Sequence, residues 1–269
     1  MVYFVSDRTG ITAEALGNTL LTQFHGVEFR RTTLPFVNSR ERAEQAVAFI
    51  NEAARLAPER PLVFSTTVDG EVRGILRGAQ GLFLDLFDSH VPLLEQELGL
   101  GSTPTVGHVH GMADAERYRA RIDAINFSMA HDDGLTQKDY ERADVVLVAP
   151  SRCGKTPTCL YMALQHGLYA ANYPLTEEDL EQARLPELLA KFQPKLYGLT
   201  SDPERLHRVR SERRPGSRYA SLEQCTYELR QAEQLYQRYH VPVVNSADKS
   251  VEEIAVTVMQ DKNLRRQVF

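Results

Sequence analysis

The chain is short of the features that would tie it to a membrane, a disulfide scaffold or nucleic acid. No apolar run approaches the ~20 residues that a membrane span needs. Cysteine is scarce: Cys153, Cys159 and Cys225 are the only three in 269 residues. An odd number without metal-ligand spacing excludes a disulfide framework and predicts a reducing, cytoplasmic setting. Basic residues are not in excess. The balance of 31 Lys and Arg against 36 Asp and Glu leaves a net charge of −5, which argues against a nucleic-acid binder built on a global basic field. The start, Met1-Val2-Tyr3-Phe4-Val5-Ser6-Asp7, lacks a basic region and a small-residue cleavage site, so it reads as a first strand. H-R-D, D-F-G, G-x-S-x-G and G-x-G-x-x-G are all missing, which sets aside eukaryotic-type protein kinases, α/β-hydrolases and the dinucleotide fingerprint. There is no internal repeat and no low-complexity segment.

What is present is an ordinary globular composition, 42% hydrophobic and 25% charged, at a length that suits two domains. Apolar periodicity predicts strands at 2–5, 29–36 and 61–66 and helices at 12–24, 40–56 and 85–98, the last interrupted near its start by Pro92. In the helix at 12–24 the periodic residues are Ala15, Leu16, Leu20 and Phe24; in that at 40–56 they are Ala43, Val47, Ile50 and Ala54. Gly99-Leu100-Gly101-Ser102-Thr103-Pro104 is the richest cluster of breakers. It predicts an N-terminal α/β domain with a parallel sheet (1–104), followed by a P-loop kinase-like α/β domain (105–269). The second half reads as helix 113–130, strand 145–148, helix 158–164, strand 169–173, a helical region 177–192 and strand 195–200. A helix from Pro203 follows, then a helix at 222–239, a strand at 241–245 and a helix at 251–264. Asp202 is an expected N-cap, and Ser250 with Glu253 an expected capping box.

The most informative stretch is Ala149-Pro150-Ser151-Arg152-Cys153-Gly154-Lys155-Thr156. It lies between an apolar strand and a helix and nearly matches G-x-x-x-x-G-K-[ST], with Ala149 in place of the first glycine. Backbone N–H groups of such a loop, converging on a helix N-terminus, can hold a di- or triphosphate. Lys155 would neutralise the outer phosphate oxygens, and Thr156 would ligate Mg²⁺.

Phosphoryl transfer needs positioning and charge neutralisation more than covalent chemistry. Arg205, Arg208, Arg210, Arg213, Arg214 and Arg218 crowd around the break Pro215-Gly216-Ser217 and suit a mobile phosphate lid, with Arg213, Arg214 and Arg218 as its contacts. A solvated helix face with Glu204 and Glu212 is the plainer reading of any one of them. No apolar run ending in Asp supplies a metal carboxylate, so Asp202 and the turn His131-Asp132-Asp133-Gly134 are the candidates. Two adjacent carboxylates next to a histidine could hold a metal and orient a hydroxyl, or could equally be a helix C-terminal turn broken at Gly134 with its polar residues exposed; of the two, Asp133, beside Gly134, is favoured as the hydroxyl's partner, with His131 placed to help hold phosphate. His108 and His110 read as surface residues. Ser6-Asp7-Arg8-Thr9-Gly10, in the first strand-to-helix loop, is a possible anion or partner site or a plain capping turn.

The chain resembles the bacterial phosphoenolpyruvate synthase regulatory proteins and the related pyruvate, phosphate dikinase regulatory proteins. The resemblance covers essentially the whole length. It is carried by Val5-Ser6-Asp7-Arg8-Thr9-Gly10-Ile11-Thr12-Ala13-Glu14, Thr33-Leu34-Pro35-Phe36-Val37, the His131 turn and Ser151-Arg152-Cys153-Gly154-Lys155-Thr156-Pro157-Thr158. Further markers are Ala171-Asn172-Tyr173-Pro174, Gly198-Leu199-Thr200, Asp202-Pro203-Glu204-Arg205-Leu206 and Ser217-Arg218-Tyr219-Ala220-Ser221. The loop version looks more like the synthase branch. The family often has Gly where Arg8 and Ala149 stand. The resemblance implies a bifunctional regulator that uses ADP to phosphorylate a threonine of phosphoenolpyruvate synthase. It also implies removal of that phosphate with inorganic phosphate, releasing pyrophosphate. A homodimer is the expected assembly. Two rival classes remain: a small-molecule P-loop kinase, and a non-catalytic module that senses nucleotide. The dikinase is the alternative target.

Overall fold

A computed structural model of the protein describes residues 1–103, 115–134 and 139–265. The chain divides into two compact units, Met1–Ala113 and Asp114–Phe269. His108, His110 and Pro104 lie outside the described residues.

The first unit runs β1 (Val2–Val5), α1 (Ile11–Leu21), β2 (Arg31–Leu34), α2 (Arg40–Leu56), β3 (Leu62–Ser65), α3 (Gly70–Leu76), β4 (Leu82–Asp85) and α4 (Val91–Leu98). Its strands form one parallel sheet in the order β2-β1-β3-β4. β1 is apolar and buried throughout, as a strand covered on both faces must be. Tyr3, Val5 and Val63 share one core with Ala43, Ile50, Val72 and Leu76 of α2 and α3. Val2, Phe4 and Phe64 share another with Ala13 and Leu21 of α1.

Two expectations for this unit are corrected. The buried face of α1 is Ala13, Gly17 and Leu21, while Leu16, Leu20 and Phe24 are exposed. Close approach explains the choice: a Cβ on Gly17 would come within 2.5 Å of the Phe4 ring. The expected helix 85–98 is a strand, Leu82–Asp85, and a shorter helix, Val91–Leu98, in which Pro92 occupies the first turn. Proline begins that helix because the first turn has no use for its missing N–H. A further helix, α3, starts at an N-cap: the Asp69 carboxylate accepts the Val72 N–H at 2.9 Å.

The second unit runs α5 (Ala115–Ala130), β5 (Val145–Ala149), α6 (Lys155–His166), β6 (Ala170–Pro174), α7 (Glu177–Glu181), α8 (Glu187–Ala190) and β7 (Leu196–Thr200). It continues with α9 (Pro203–Arg213), α10 (Leu222–Arg238), β8 (Val243–Asn245) and α11 (Val251–Asp261). Its parallel sheet has the order β6-β5-β7-β8. The expected helical region 177–192 is two short helices, separated around Ala183 at φ 46° and Pro186. β5 is wholly buried; each Val or Leu there stabilises the fold by about 1.5–3 kcal/mol. Asp202 caps α9, and Ser250 with Glu253 forms the capping box of α11.

The α/β reading therefore holds, with two four-stranded all-parallel sheets. Both follow one plan: the first strand lies between the second and the third. Successive connections leave it in opposite directions, which opens a crevice at its carboxyl end. In the second unit that end is the Gly-Lys-Thr loop. Among the described residues no helix is long and apolar enough to cross a membrane.

Candidate functional site

The loop leaves β5 after Ala149, whose carbonyl accepts the Leu175 N–H at 2.9 Å. Alanine at this first position is thus the buried end of a strand. Arg152 at φ 73° and Gly154 at φ 92° turn the chain through left-handed conformations into α6. Gly154 is the N-cap of α6 and contributes no side chain, so the helix start is left to its N–H groups.

Lys155 is buried, and its Nζ donates to the Pro150 carbonyl at 3.2 Å. Burial holds its ammonium below the ordinary 10.5, while Cys153 and the carboxylates of Asp133 and Asp132 pull the other way. Thr156 Oγ1 donates to Asp132 Oδ1 at 2.7 Å. The turn after α5 therefore meets the Lys155-Thr156 end of the loop.

Asn172, fully buried on β6, builds that turn. Its side-chain amide donates to Asp132 Oδ1, and its Oδ1 accepts the Asp133 N–H at 3.0 Å. Its own N–H donates to the His131 carbonyl at 3.1 Å. Asp133 sits at φ 47°, a left-handed position that a short polar residue tolerates, and is exposed. Asp132 is thereby drawn to Thr156, and Asp133 is left open to solvent.

Other expected site residues lie elsewhere. The His131 ring is buried and stacks on Phe127 at 3.9 Å, with Nδ1 2.7 Å from the Phe127 carbonyl oxygen. Those contacts set the ring beneath the turn. The Asp202 carboxylate accepts the N–H groups of Glu204 and Arg205, both at 3.0 Å, as the cap of α9. The carboxylate bonded to Thr156 is that of Asp132. Residues 135–138, part of the return from the turn to β5, lie outside the described residues.

The six arginines do not act as one exposed cluster. Arg210 is fully buried, which removes it from any lid. Its guanidinium donates to the Ser151 carbonyl, the Tyr219 carbonyl and Glu228. Arg213 and Arg214 end α9 in solvent, and Arg218 pairs with Glu177. Sequence reasoning missed Asn172, Tyr219 and Glu228. The motif Ala171-Asn172-Tyr173-Pro174 held the one signal, an amide in an apolar strand.

The first loop of the N-terminal unit has the same length. Five residues, Ser6 to Gly10, separate β1 from α1, as Pro150 to Gly154 separate β5 from α6. Gly10 caps α1 at φ 85°, as Gly154 caps α6. Arg8 and Thr12 fall where Arg152 and Thr156 fall, but Ile11 replaces Lys155. Asp7 Oδ2 accepts the Val68 N–H at 2.9 Å, tying the loops after β1 and β3 together. This loop has the length and helix entry of the other without its cation.

Fold and loop together define a class: a two-unit α/β protein carrying a Gly-Lys-Thr loop at a helix start beside paired carboxylates. The chain belongs to the kinase/pyrophosphorylase family, whose model matches residues 2–259. It is 49% identical over 267 residues to a protein of Legionella pneumophila (strain Paris), covering 99% of this chain and 98% of that one. It is 50% identical over 268 residues to one from Alkalilimnicola ehrlichii, covering 100% and 97%. It is 51% identical over 268 residues to one from Halorhodospira halophila, covering 99% and 98%. All three carry the provisional name of phosphoenolpyruvate synthase regulatory protein.

Proposed function

We propose that this protein transfers the β-phosphoryl group of ADP to a threonine of phosphoenolpyruvate synthase, and removes it again with inorganic phosphate. The observation that carries the reading is the junction of Lys155, Thr156 and Asp132, with Asp133 open beside it. The full-length similarity to proteins named as regulators of that synthase supports the target.

In the forward direction the threonine Oγ attacks the β-phosphorus of ADP. The bond from that phosphorus to the α–β bridging oxygen breaks, AMP leaves, and the hydroxyl proton passes to a carboxylate, assigned here to Asp133. In the reverse direction an oxygen of inorganic phosphate attacks the phosphothreonine phosphorus. The bond to the threonine oxygen breaks, that oxygen takes the proton back, and pyrophosphate leaves. Both reactions gather negative charge at one place, where Lys155 and the loop N–H groups stabilise it. The oxygens of Thr156 and Asp132, 2.7 Å apart, fit a hard cation. They would hold Mg²⁺, which supplies further neutralisation of phosphate charge. Among the described residues no three His, Cys, Asp or Glu cluster as a metal site.

The test mixes the purified protein with phosphoenolpyruvate synthase and ADP labelled at the β-phosphorus. Label on a synthase threonine, released as pyrophosphate when phosphate is added, is the expected result. Faster labelling from ATP freed of ADP would overturn the choice of donor. Transfer to pyruvate, phosphate dikinase alone would redirect the target. ADP binding without transfer to either would reduce the protein to a sensor.

A further inference from the structure

We infer that Arg210 is a positioning residue that orients the Ser151–Arg152 peptide of the loop for phosphate. The inference rests on the nucleotide reading of the loop. Arg210 is on α9, has no exposed surface and puts two guanidinium nitrogens on one carbonyl: Nη2 lies 3.0 Å and Nε 3.3 Å from the Ser151 oxygen. A trans peptide is planar, with its C=O and N–H pointing opposite ways. Holding the Ser151 carbonyl toward α9 therefore turns the Arg152 N–H away from α9. Arg152 is also the non-glycine residue of the loop at positive φ, so its peptide needs outside support.

The support is itself fixed. Arg210 Nη2 donates to Glu228 at 2.6 Å, and Gln224 donates to the other oxygen of that carboxylate at 3.0 Å. The guanidinium lies over the Tyr219 ring at 4.2 Å and donates to its carbonyl at 3.0 Å. The Tyr219 hydroxyl then donates to Ser151 Oγ at 3.1 Å, so one loop residue is gripped at its carbonyl and at its side chain. A buried ion pair adds little net stability once desolvation is counted, whereas a planar fork confers geometry. This is a reason for arginine here that packing alone does not give.

Arg210→Lys keeps the charge and loses the fork; Tyr219→Phe keeps the ring and loses the grip on Ser151 Oγ. Binding of ADP and of inorganic phosphate is measured by calorimetry, and amide hydrogen exchange is followed in the ligand-free protein. Arg210→Lys is expected to weaken ADP about tenfold, the order of one misdirected donor, and to speed exchange at 151–154 while β5 stays protected. Tyr219→Phe should weaken ADP about threefold at an unchanged melting temperature; it carries the test if Arg210→Lys does not fold. A purely structural role would lower the folded fraction and leave affinity and loop exchange of the folded protein unchanged; that result overturns the inference. Wild-type protein that binds neither ADP nor phosphate overturns the nucleotide reading, and the inference with it.

Discussion

Asn172 donates its side-chain amide to Asp132 Oδ1, the oxygen that also receives the Thr156 hydroxyl. One buried amide on β6 thus sets where the carboxylate meets the loop. Asn172→Ala removes that donor and the acceptor of the Asp133 N–H together. Unfolding in urea should show a loss of roughly 1–3 kcal/mol, the cost of buried groups left unpaired. Phosphoryl transfer should fall roughly 10- to 100-fold, as when an outer residue stops holding an inner one. Full activity in a folded variant would separate Asn172 from the site.

Lys155→Ala should leave a folded protein whose ADP-dependent transfer is down by roughly two to four decades, ~3–5 kcal/mol of lost charge stabilisation. A single-turnover assay with β-labelled ADP measures it, and near-wild-type transfer would refute the role.

Lys155 also gives stability a pH dependence of definite sign. Burial lowers its folded-state pKa beneath 10.5. Below the folded value both states hold the proton, and the protein bears the full cost of the buried ammonium. Between the folded value and 10.5 the unfolded chain binds more protons, so stability rises with pH across that window. Lys155→Met, which keeps the aliphatic stem, should be no less stable than wild type at neutral pH. Its advantage should shrink as pH approaches 10.5. Urea titrations of both proteins at stepped pH test this; an advantage that grows with pH would contradict it.

The three thiols should be silent in the native protein. Cys153, Cys159 and Cys225 are all buried and free. Burial pushes Cys153 up to about 11 and also raises Cys159 and Cys225. At about pH 8 only roughly one Cys153 in a thousand is thiolate, the form that reacts. A disulfide reagent should therefore find three thiols in denaturant and none at native conditions over minutes. Rapid native labelling of Cys153 would mean that the loop opens.

How far the sequence carries depends on whether the signal is local. β5 and its loop are local: an apolar strand, four turn residues, then Gly-Lys-Thr at a helix start. The caps at Asp202 and Ser250 are local too. The Asp132-Asp133 turn could be placed near the Lys155-Thr156 end of the loop because a short connection limits its reach. Arg210 could not be told from its five neighbours, since which face of α9 is buried depends on Glu228 of α10 and on Tyr219 in the turn between the two helices. Asn172 hides inside a strand pattern, where an amide looks like a surface residue until β6 is known to be covered. β4 is too short to show alternation, and Pro92 in the helix that follows reads equally as a break or as a first turn.

The two aspartates should fail in different ways. Asp132 is bonded to Thr156 and Asn172, whereas Asp133 is exposed at a left-handed turn with its backbone N–H held by Asn172. A threonine hydroxyl is far too weak an acid to ionise at neutral pH, so an accepting carboxylate contributes about 10²–10⁴-fold. Asp133→Asn should lose that factor in both directions, because the group that takes the proton in one direction returns it in the other, while ADP affinity stays unchanged. Asp132→Asn should instead raise the Mg²⁺ concentration for half-maximal activity, by about tenfold if its charge supports the cation. Thr156→Ala should share that behaviour, and the double variant should be little worse than either single one, since the two oxygens act as a unit. Rates against Mg²⁺ at saturating ADP, with binding measured separately, distinguish the outcomes. If Asp133→Asn keeps full rate and Asp132→Asn loses it at every Mg²⁺ concentration, the proton-accepting role passes to Asp132; if both keep full rate in both directions, neither carboxylate belongs to the chemistry.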